Sequence, residues 1–311
     1  MPLNQVSAAI LAQLNAAAPD MKAIGPLEFR AYSDAMVQPA DPADRIVTED
    51  VDADGIPVRI YRREEATGPE PVLVFYHGGG YIACGIASHD RLCHRLARQA
   101  RCAIVSVDYR LAPEHVFPAA VDDARAALAW VAANGARHGL DTGRIAVGGD
   151  SAGGSLATVA AIRARDEGGP ALSHQLLFYP GTDLVGDTPS RREFSRGYFL
   201  DEDFSELCVS AYIPDRADRA HPWASPLLAK DLARLPPATV ITAECDPLRD
   251  EGAAYADRLR QAGVDAGYTV YPGVFHGFVS MFGIVAEADQ AIGEAAAALR
   301  EAFARKTEQA A

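Results

Sequence analysis

The chain has 311 residues, 49% of them hydrophobic, and a formal net charge of −13. That length accommodates one large α/β domain or two ordinary ones, with a sizeable core in either case. The acidic balance argues against a nucleic-acid partner or an anionic-membrane partner, because neutralising phosphates needs clustered Lys and Arg. No apolar stretch of the sequence approaches the ~18 residues that span a bilayer.

The cysteines indicate a reducing environment. There are five of them, an odd number, and no C-x-x-C pair. This pattern argues against a disulfide framework and against a structural zinc site. We therefore expect reduced, mostly buried thiols and a cytoplasmic location.

Residues 1–45 are predicted to form a helical arm. Apolar residues recur at helical spacing between Leu3 and Leu14, and the pattern stops before Pro39 and Pro42. Two short alternating runs then flank an Asp-Gly pair at residues 54–55, which predicts a β-hairpin.

After the hairpin, strands and helices are predicted to alternate. Near-continuous apolar runs of this kind are typical of strands covered on both faces. The alternation predicts an α/β fold with a mostly parallel central sheet and helices on both faces, built from residues 46–181 and 236–311. The predicted strands are 72–76, 103–107, 144–147, 175–179, 239–242 and 267–271, and the predicted helices are 118–139, 155–162, 247–262 and 284–304.

Residues 182–235 interrupt this alternation. They contain no strong strand pattern, whereas most connections in such folds run ~2–6 residues. A helical pattern near residues 204–212 follows an acidic cluster at 201–203. Together with the N-terminal arm, this insert is expected to form a cap over the carboxyl edge of the sheet. The alternative is a pair of surface helices without a function.

A G-x-S-x-G motif joins the strand at 144–147 to the helix at 155–162. It consists of Gly149, Ser151 and Gly153. In a nucleophile elbow, the serine occupies a strained turn and its neighbours must be small, so that strand and helix can approach each other closely. The alternative is a glycine-rich turn in which the serine is only a helix N-cap.

A serine nucleophile needs a base and a group that orients the base. His276 follows the last predicted strand and is the candidate base; the alternative is a partly buried, hydrogen-bonded loop histidine. Asp246 lies where a strand turns into a helix and is the candidate orienting carboxylate, although it could be only the N-cap of that helix. Asp183 and Asp250 are rivals. The order Ser151, Asp246, His276 along the chain is that of α/β-hydrolases.

An H-G-G-G motif directly follows the strand at 72–76. Because glycines leave the backbone N–H groups accessible, Gly79, Gly80 and the N–H of Ala152 are candidate donors to an oxyanion. His77 and Gly78 are expected to support this loop structurally. The sequence contains neither the phosphate-loop pattern nor a dinucleotide-binding glycine pattern after a strand, so a phosphate-cradling loop is disfavoured.

In combination, these motifs resemble those of the hormone-sensitive-lipase-type carboxylesterases, the bacterial family IV of the α/β-hydrolase superfamily. The resemblance covers nearly all of the chain from residue 70 onwards. It implies an α/β-hydrolase fold with a helical cap formed by residues 1–45 and 182–235. The stretches that carry it are 77–80, 108–115, 149–154, 246–252 and 276–278.

The resemblance implies a serine carboxylesterase that works through an acyl-enzyme and needs no metal or cofactor. Ser151 would be the nucleophile, His276 the base and Asp246 the residue that orients it. Gly79 and Gly80 would form the oxyanion hole with Ala152. Short- to medium-chain esters are the expected substrates, and lactones, carbamates and amides are alternatives on the same residues.

Three aromatic residues are candidates for lining the substrate pocket. The resemblance places Tyr81 near the acyl pocket, and Tyr198 and Phe199 lie in the insert; for each of them, simple packing is the alternative. An alternative from another functional class is a small-molecule receptor that has lost its catalytic activity. The intact set of candidate catalytic residues disfavours this alternative. The resemblance also implies a possible homodimer that pairs through an edge strand.

Overall fold

Eight strands form one sheet, in the order β1-β2-β4-β3-β5-β6-β7-β8, in a computed structural model that describes residues 3–309 of the chain. β1 and β2 form the predicted hairpin and pair antiparallel, and β2 pairs antiparallel with β4. All pairings from β4 to β8 are parallel. The strands are β1 (Ile46–Asp52), β2 (Pro57–Arg63), β3 (Glu70–Tyr76), β4 (Ala103–Val107), β5 (Leu140–Asp150), β6 (Leu172–Phe178), β7 (Ala238–Cys245) and β8 (Ala266–Phe275).

Helices cover both faces of the sheet. One apolar core lies between the sheet and the helices Ile86–Ala100 and Ala286–Gln309, and the other lies between the sheet and the helices Ala119–Asn134, Ala152–Asp166 and Arg249–Gln261. The two faces explain why β4 is buried at every residue, as its continuous apolar sequence predicts. The helices are α1 (Gln5–Ala17), α2 (Pro26–Asp34), α3 (Ile86–Ala100), α4 (Ala119–Asn134), α5 (Ala152–Asp166), α6 (Pro189–Glu193), α7 (Glu202–Tyr212), α8 (Arg249–Gln261) and α9 (Ala286–Gln309).

The predicted strands and helices are present, but one helix ends earlier and another begins later than the sequence predicts. The helix predicted over 118–139 ends at Asn134 and continues as a 3₁₀ turn, Gly135–His138. The helix predicted from residue 247 begins at Arg249, because the side chain of Asp246 accepts the N–H of Leu248 at 2.8 Å and holds the preceding residues in a turn.

The N-terminal arm and the 182–235 insert contact each other and the carboxyl edge of the sheet. The rings of Phe29 in α2 and Phe204 in α7 are 4.6 Å apart. The N–H of Asn4 donates to the carbonyl of Gly273 near the end of β8 at 2.9 Å. Between residues 3 and 309, no helix is both long enough and apolar enough to cross a membrane.

Candidate active site

Ser151 lies at the turn between β5 and α5, in a backbone conformation that is rare for a residue with a side chain, with φ 54° and ψ −121°. The turn is possible because its glycines are in close contact. A Cβ on Gly153 would lie 2.5 Å from the carbonyl carbon of Tyr76, at the end of β3. A Cβ on Gly149 would lie 2.5 Å from the carbonyl oxygen of Gly153. The side chain of Ser151 is half-buried and therefore remains accessible.

Ser151, His276 and Asp246 form a continuous line of hydrogen bonds. The Nε2 atom of His276 is 2.9 Å from the Oγ atom of Ser151, and its Nδ1 atom is 2.8 Å from Oδ2 of Asp246. Ser151 directly follows β5, Asp246 follows β7 and His276 follows β8. These strands are parallel, so their carboxyl ends share one edge of the sheet. Asp246 is fully buried and His276 nearly so.

The structure distinguishes Asp246 from its two rivals. Asp183 uses its Oδ1 atom to accept the N–H groups of Val185 and Gly186, both at 3.0 Å, and so closes a local turn. Asp250 accepts the N–H of Ser190 at 2.8 Å and pairs with Arg249. Asp246 occupies both positions that the sequence suggested for it. Its Oδ1 atom accepts the N–H of Leu248 in the turn before α8, and its Oδ2 atom faces His276.

The H-G-G-G loop folds back over the ends of β3 and β5. Gly79 and Gly80 have φ values of 112° and 61°, which favour glycine. A Cβ on Gly79 would lie 2.8 Å from the carbonyl carbon of Ala83, and one on Gly80 would lie 2.8 Å from Cβ of Cys208. Glycine is therefore required at both positions by conformation and by space.

His77 is completely buried and holds the base of this loop. Its ring stacks on Tyr109 with the centroids 4.2 Å apart, and the hydroxyl of Tyr109 donates to the His77 carbonyl at 2.8 Å. Burial, assisted by the neighbouring His89, lowers the pKa of His77 to about 3. His77 is thus neutral at ordinary pH, which suits a structural position.

Tyr81 lies directly after the glycine loop. It is buried, has a φ of 65°, and its ring stacks on that of Tyr212 in α7, with the centroids 3.9 Å apart. Burial raises the pKa of the Tyr81 hydroxyl to about 12. Tyr81 therefore joins the loop to the insert.

The two other aromatic candidates differ in their surroundings. Phe199 is 41% exposed, and its ring is 6.1 Å from that of Phe275, the residue before His276. Tyr198 is half-buried and packs edge-on against Phe194, with the ring centroids 4.9 Å apart. The structure thus places Phe199 beside the histidine loop, whereas Tyr198 packs against an apolar cluster that joins the insert to Leu11 of α1 and to Phe275.

Sequence reasoning missed several residues that contact the site. Cys208 in α7 packs on Gly80, and the ring of Tyr179 lies 4.7 Å from that of His276. Asp150 and His89 form a buried pair beneath the glycine loop. The position of Asp150 within the G-x-S-x-G motif indicates its proximity to Ser151, whereas no local pattern marks His89 or Cys208.

Comparisons with known proteins show the family to which the chain belongs. A family model described as the α/β-hydrolase fold matches residues 73–280, and the chain belongs to that family. It is 44% identical to the carboxylesterase NlhH of Mycobacterium tuberculosis over 265 residues, which is 83% of each chain. It is 40% identical to an ethyl acetate hydrolase of Pseudomonas putida over 80% of each chain.

Solved structures resemble the whole fold. The hyperthermophilic esterase of the archaeon Pyrobaculum calidifontis superimposes with a TM-score of 0.89 and 41% identity, covering 97% of this chain and 99% of the other. Among the residues that the structure describes, no group of three His, Cys, Asp or Glu side chains is arranged to hold a metal ion.

Proposed function

We propose that this chain is a serine carboxylesterase that hydrolyses short- to medium-chain carboxylic esters through an acyl-enzyme. The observation that carries the proposal is the hydrogen-bonded line from Ser151 through His276 to Asp246 at the carboxyl edge of the sheet. Relatives at 40–44% identity are named carboxylesterase and ethyl acetate hydrolase, which supports the ester as the bond that is cleaved.

In the first half of the reaction, His276 Nε2 takes the proton of the Ser151 hydroxyl as Oγ attacks the ester carbonyl. The N–H groups of Gly79, Gly80 and Ala152 receive the negative charge that develops on the carbonyl oxygen. The tetrahedral intermediate then collapses. The bond to the alcohol oxygen breaks, and His276 returns its proton to the leaving alcohol.

In the second half, a water molecule takes the place of the alcohol. His276 removes a proton from the water as it attacks the acyl-enzyme, and then gives that proton to Oγ of Ser151 while the acid leaves. Throughout, Asp246 accepts the Nδ1–H of His276, fixes the tautomer and stabilises the imidazolium that forms. Apart from the ester and the water, the groups that act in this scheme are side chains and backbone N–H groups of this chain.

Residues 1–45 and 182–235 are assigned in this proposal to a cap that shapes the substrate pocket. The contact of Cys208 with Gly80 and the stack of Tyr212 on Tyr81 support the assignment, because both join α7 to the candidate oxyanion loop. Phe199, at the histidine loop, is assigned to the wall of the pocket. Tyr81 is assigned to its floor.

We also propose a cytoplasmic location and a homodimer. Cys93, Cys102, Cys208 and Cys245 are buried, in keeping with a chain whose thiols stay reduced. β8 lies at the edge of the sheet, where a second copy could add its own strand. Sedimentation equilibrium at several concentrations tests the dimer, and a constant monomer mass would exclude it.

The experiment that tests the function is hydrolysis of p-nitrophenyl esters from acetate to dodecanoate. We expect the wild type to prefer the shorter chains and Ser151→Ala to lose about 10⁴–10⁶-fold in kcat, as nucleophile removal does in other serine hydrolases. Ser210→Ala, at an exposed position of α7, is the matched control and should keep most of the activity. A wild type that hydrolyses none of these esters would refute the proposal of an esterase. An active Ser151→Ala variant would show that another residue is the nucleophile.

The same enzyme preparations distinguish the alternative substrates. Parallel assays with a δ-lactone, a phenyl carbamate and an anilide measure kcat/KM for each bond type. If kcat/KM for the ester is lower than that for one of the other three substrates, the chain would instead be the corresponding hydrolase, acting through the same triad.

A further inference from the structure

A buried carboxylate joins the nucleophile turn to the glycine loop. Asp150, the last residue of β5, directly precedes Ser151 and is 6% exposed. Its Oδ1 atom accepts the N–H of Gly78 at 2.8 Å. A Cβ on Gly78 would lie 2.5 Å from Oδ2 of the same carboxylate, so the loop lies directly on it.

This hydrogen bond continues a connection that the sheet does not supply. The parallel pairing of β3 with β5 ends at Tyr76 and Gly149. Beyond that point, the chain after β3 becomes the glycine loop and the chain after β5 becomes the nucleophile elbow. The proposed oxyanion donors come from both sides, so their separation depends on what joins the two segments. The Gly78–Asp150 hydrogen bond joins them within two residues of Gly80 and of Ala152.

His89 contacts the same oxygen of this carboxylate, next to the N–H of Gly78. It lies in α3, is 7% exposed, and its Nε2 atom is 3.0 Å from Oδ1 of Asp150. Its Nδ1 atom is 2.9 Å from the hydroxyl of Ser88, which itself donates to the Gly85 carbonyl at 2.9 Å. A carboxylate only accepts hydrogen bonds, so Nε2 carries a proton and donates it to Asp150.

Asp150 is ionised in this position. Burial opposes the charge, but the adjacent His89 and the N–H of Gly78 outweigh that cost and hold the pKa of Asp150 below its usual range. A charged acceptor forms shorter and stronger hydrogen bonds than a neutral one. The carboxylate is therefore suited to fixing a flexible glycine segment.

We propose that Asp150 and His89 are a positioning pair that sets the glycine loop at the distance from the nucleophile that the oxyanion hole requires. This inference rests on the proposed function, since it assigns a task to two side chains whose hydrogen bonds go to the glycine loop and to each other rather than to a triad side chain. The pair acts through Gly78 on the N–H groups of Gly79 and Gly80.

The test separates kcat from KM. Oxyanion donors act on the transition state, so losing their alignment should lower kcat while KM changes less than about threefold. We expect Asp150→Ala to lower kcat about 10²-fold, comparable to losing one oxyanion donor. Asp150→Asn keeps one acceptor oxygen and should lose about tenfold by the same reasoning. Titration of active sites with diethyl p-nitrophenyl phosphate refers kcat to competent enzyme, so a misfolded fraction does not count.

Variants of His89 provide a second, independent test if the Asp150 variants fold poorly. His89→Ala removes the donor to Asp150 and should lower kcat about tenfold, a fraction of the effect of a lost oxyanion donor. His89→Gln places an amide N–H near the position of Nε2 and should restore most of that loss. Equal kcat values for the two His89 variants would contradict the pair.

Asp123→Asn is the matched control. Asp123 is also a buried aspartate, 5% exposed, but its partner is Arg110, which it meets at 2.7 Å. We expect this variant to lower the melting temperature without changing kcat per active site. If the Asp150 variants behave in the same way, or raise KM at constant kcat, the positioning role is wrong although the esterase stands. A wild type that hydrolyses no ester refutes the proposed function instead.

Discussion

Replacing Gly153 by alanine tests the packing that creates the proposed nucleophile elbow at Ser151. The added Cβ would lie 2.5 Å from the carbonyl carbon of Tyr76 and 2.6 Å from the carbonyl oxygen of His77. The carbonyl oxygen of Tyr76 would be closer still, and because ordinary contacts of a Cβ begin at 3.4 Å, α5 or the end of β3 must move by more than about 1 Å. The opposing atoms are backbone, and β3 pairs with a strand on either side, so neither can yield cheaply.

The expected effect has two parts. Overpacking of this kind costs about 3 kcal/mol, against a gain of at most ~1 kcal/mol from alanine in a helix, leaving a net loss of about 2 kcal/mol. Movement of α5 also displaces Ser151, and a misplacement of about 1 Å can cost on the order of 10²-fold in rate. We therefore expect Gly153→Ala to be both less stable and less active.

Urea unfolding followed by circular dichroism measures the first part, and initial rates with p-nitrophenyl acetate measure the second. Gly293→Ala in α9 is the matched control, because a Cβ there meets nothing within 4 Å. That variant should gain up to ~1 kcal/mol and keep its activity. An unfolding free energy of Gly153→Ala within about 0.5 kcal/mol of the wild type, with full activity, would refute the close contact of α5 with β3.

Two further predictions follow from the triad and from the arm. Asp246→Asn should lower kcat about 10⁴-fold in the p-nitrophenyl acetate assay, because the amide no longer fixes the His276 tautomer. Arg30→Ala should lower the unfolding free energy by about 2 kcal/mol, because the guanidinium donates to the carbonyls of Ile82 and Ala112 at 2.7 and 2.8 Å and to Glu114. The hydrogen bond from Arg30 lowers the pKa of Glu114 to about 2 from 4.5. The stabilisation of the fold by the ionised Glu114 is therefore present above pH 4.5 and is lost as the pH falls towards 2.

Each of these predictions has its own control. Asp183→Asn removes a rival carboxylate that closes a local turn and should keep kcat within about tenfold, far from the loss expected at the triad. Equal losses at both positions would undo the choice of Asp246. Arg45→Ala, whose partner Glu64 is exposed, should lower the unfolding free energy less than Arg30→Ala does. For Glu114→Gln, an unchanged stability difference from the wild type between pH 5 and 2.5 would contradict the Arg30 pairing.

Much of the fold could be predicted because its signals are local. A short, mostly apolar run such as residues 103–107, with its β-branched side chains, favours a strand covered on both faces, and this segment is buried at every residue. Strands that alternate with helices must then pair in parallel. Parallel strands bring their carboxyl ends to one edge, so the loops that carry Ser151, Asp246 and His276 were expected to meet.

The glycine motifs were also predictable, for a steric reason. Ser151, Gly79 and Gly80 all have positive φ values. Gly149 and Gly153 pack against backbone in the structure, so a side chain at either position would force segments apart. Requirements of this kind depend on neighbours close in sequence or in a paired strand, and they leave a recognisable pattern in the chain.

What the sequence alone determined was the order of elements, the parallel sheet and the set of residues able to do chemistry at its edge, because these depend on side-chain periodicity and on backbone conformation. Only the tertiary structure decided that Asp246 rather than Asp183 faces His276, since three carboxylates follow strand ends and loop paths separate them. It alone brought Cys208 onto Gly80 and His89 onto Asp150. Such contacts join segments that are distant along the chain, and no local pattern encodes them.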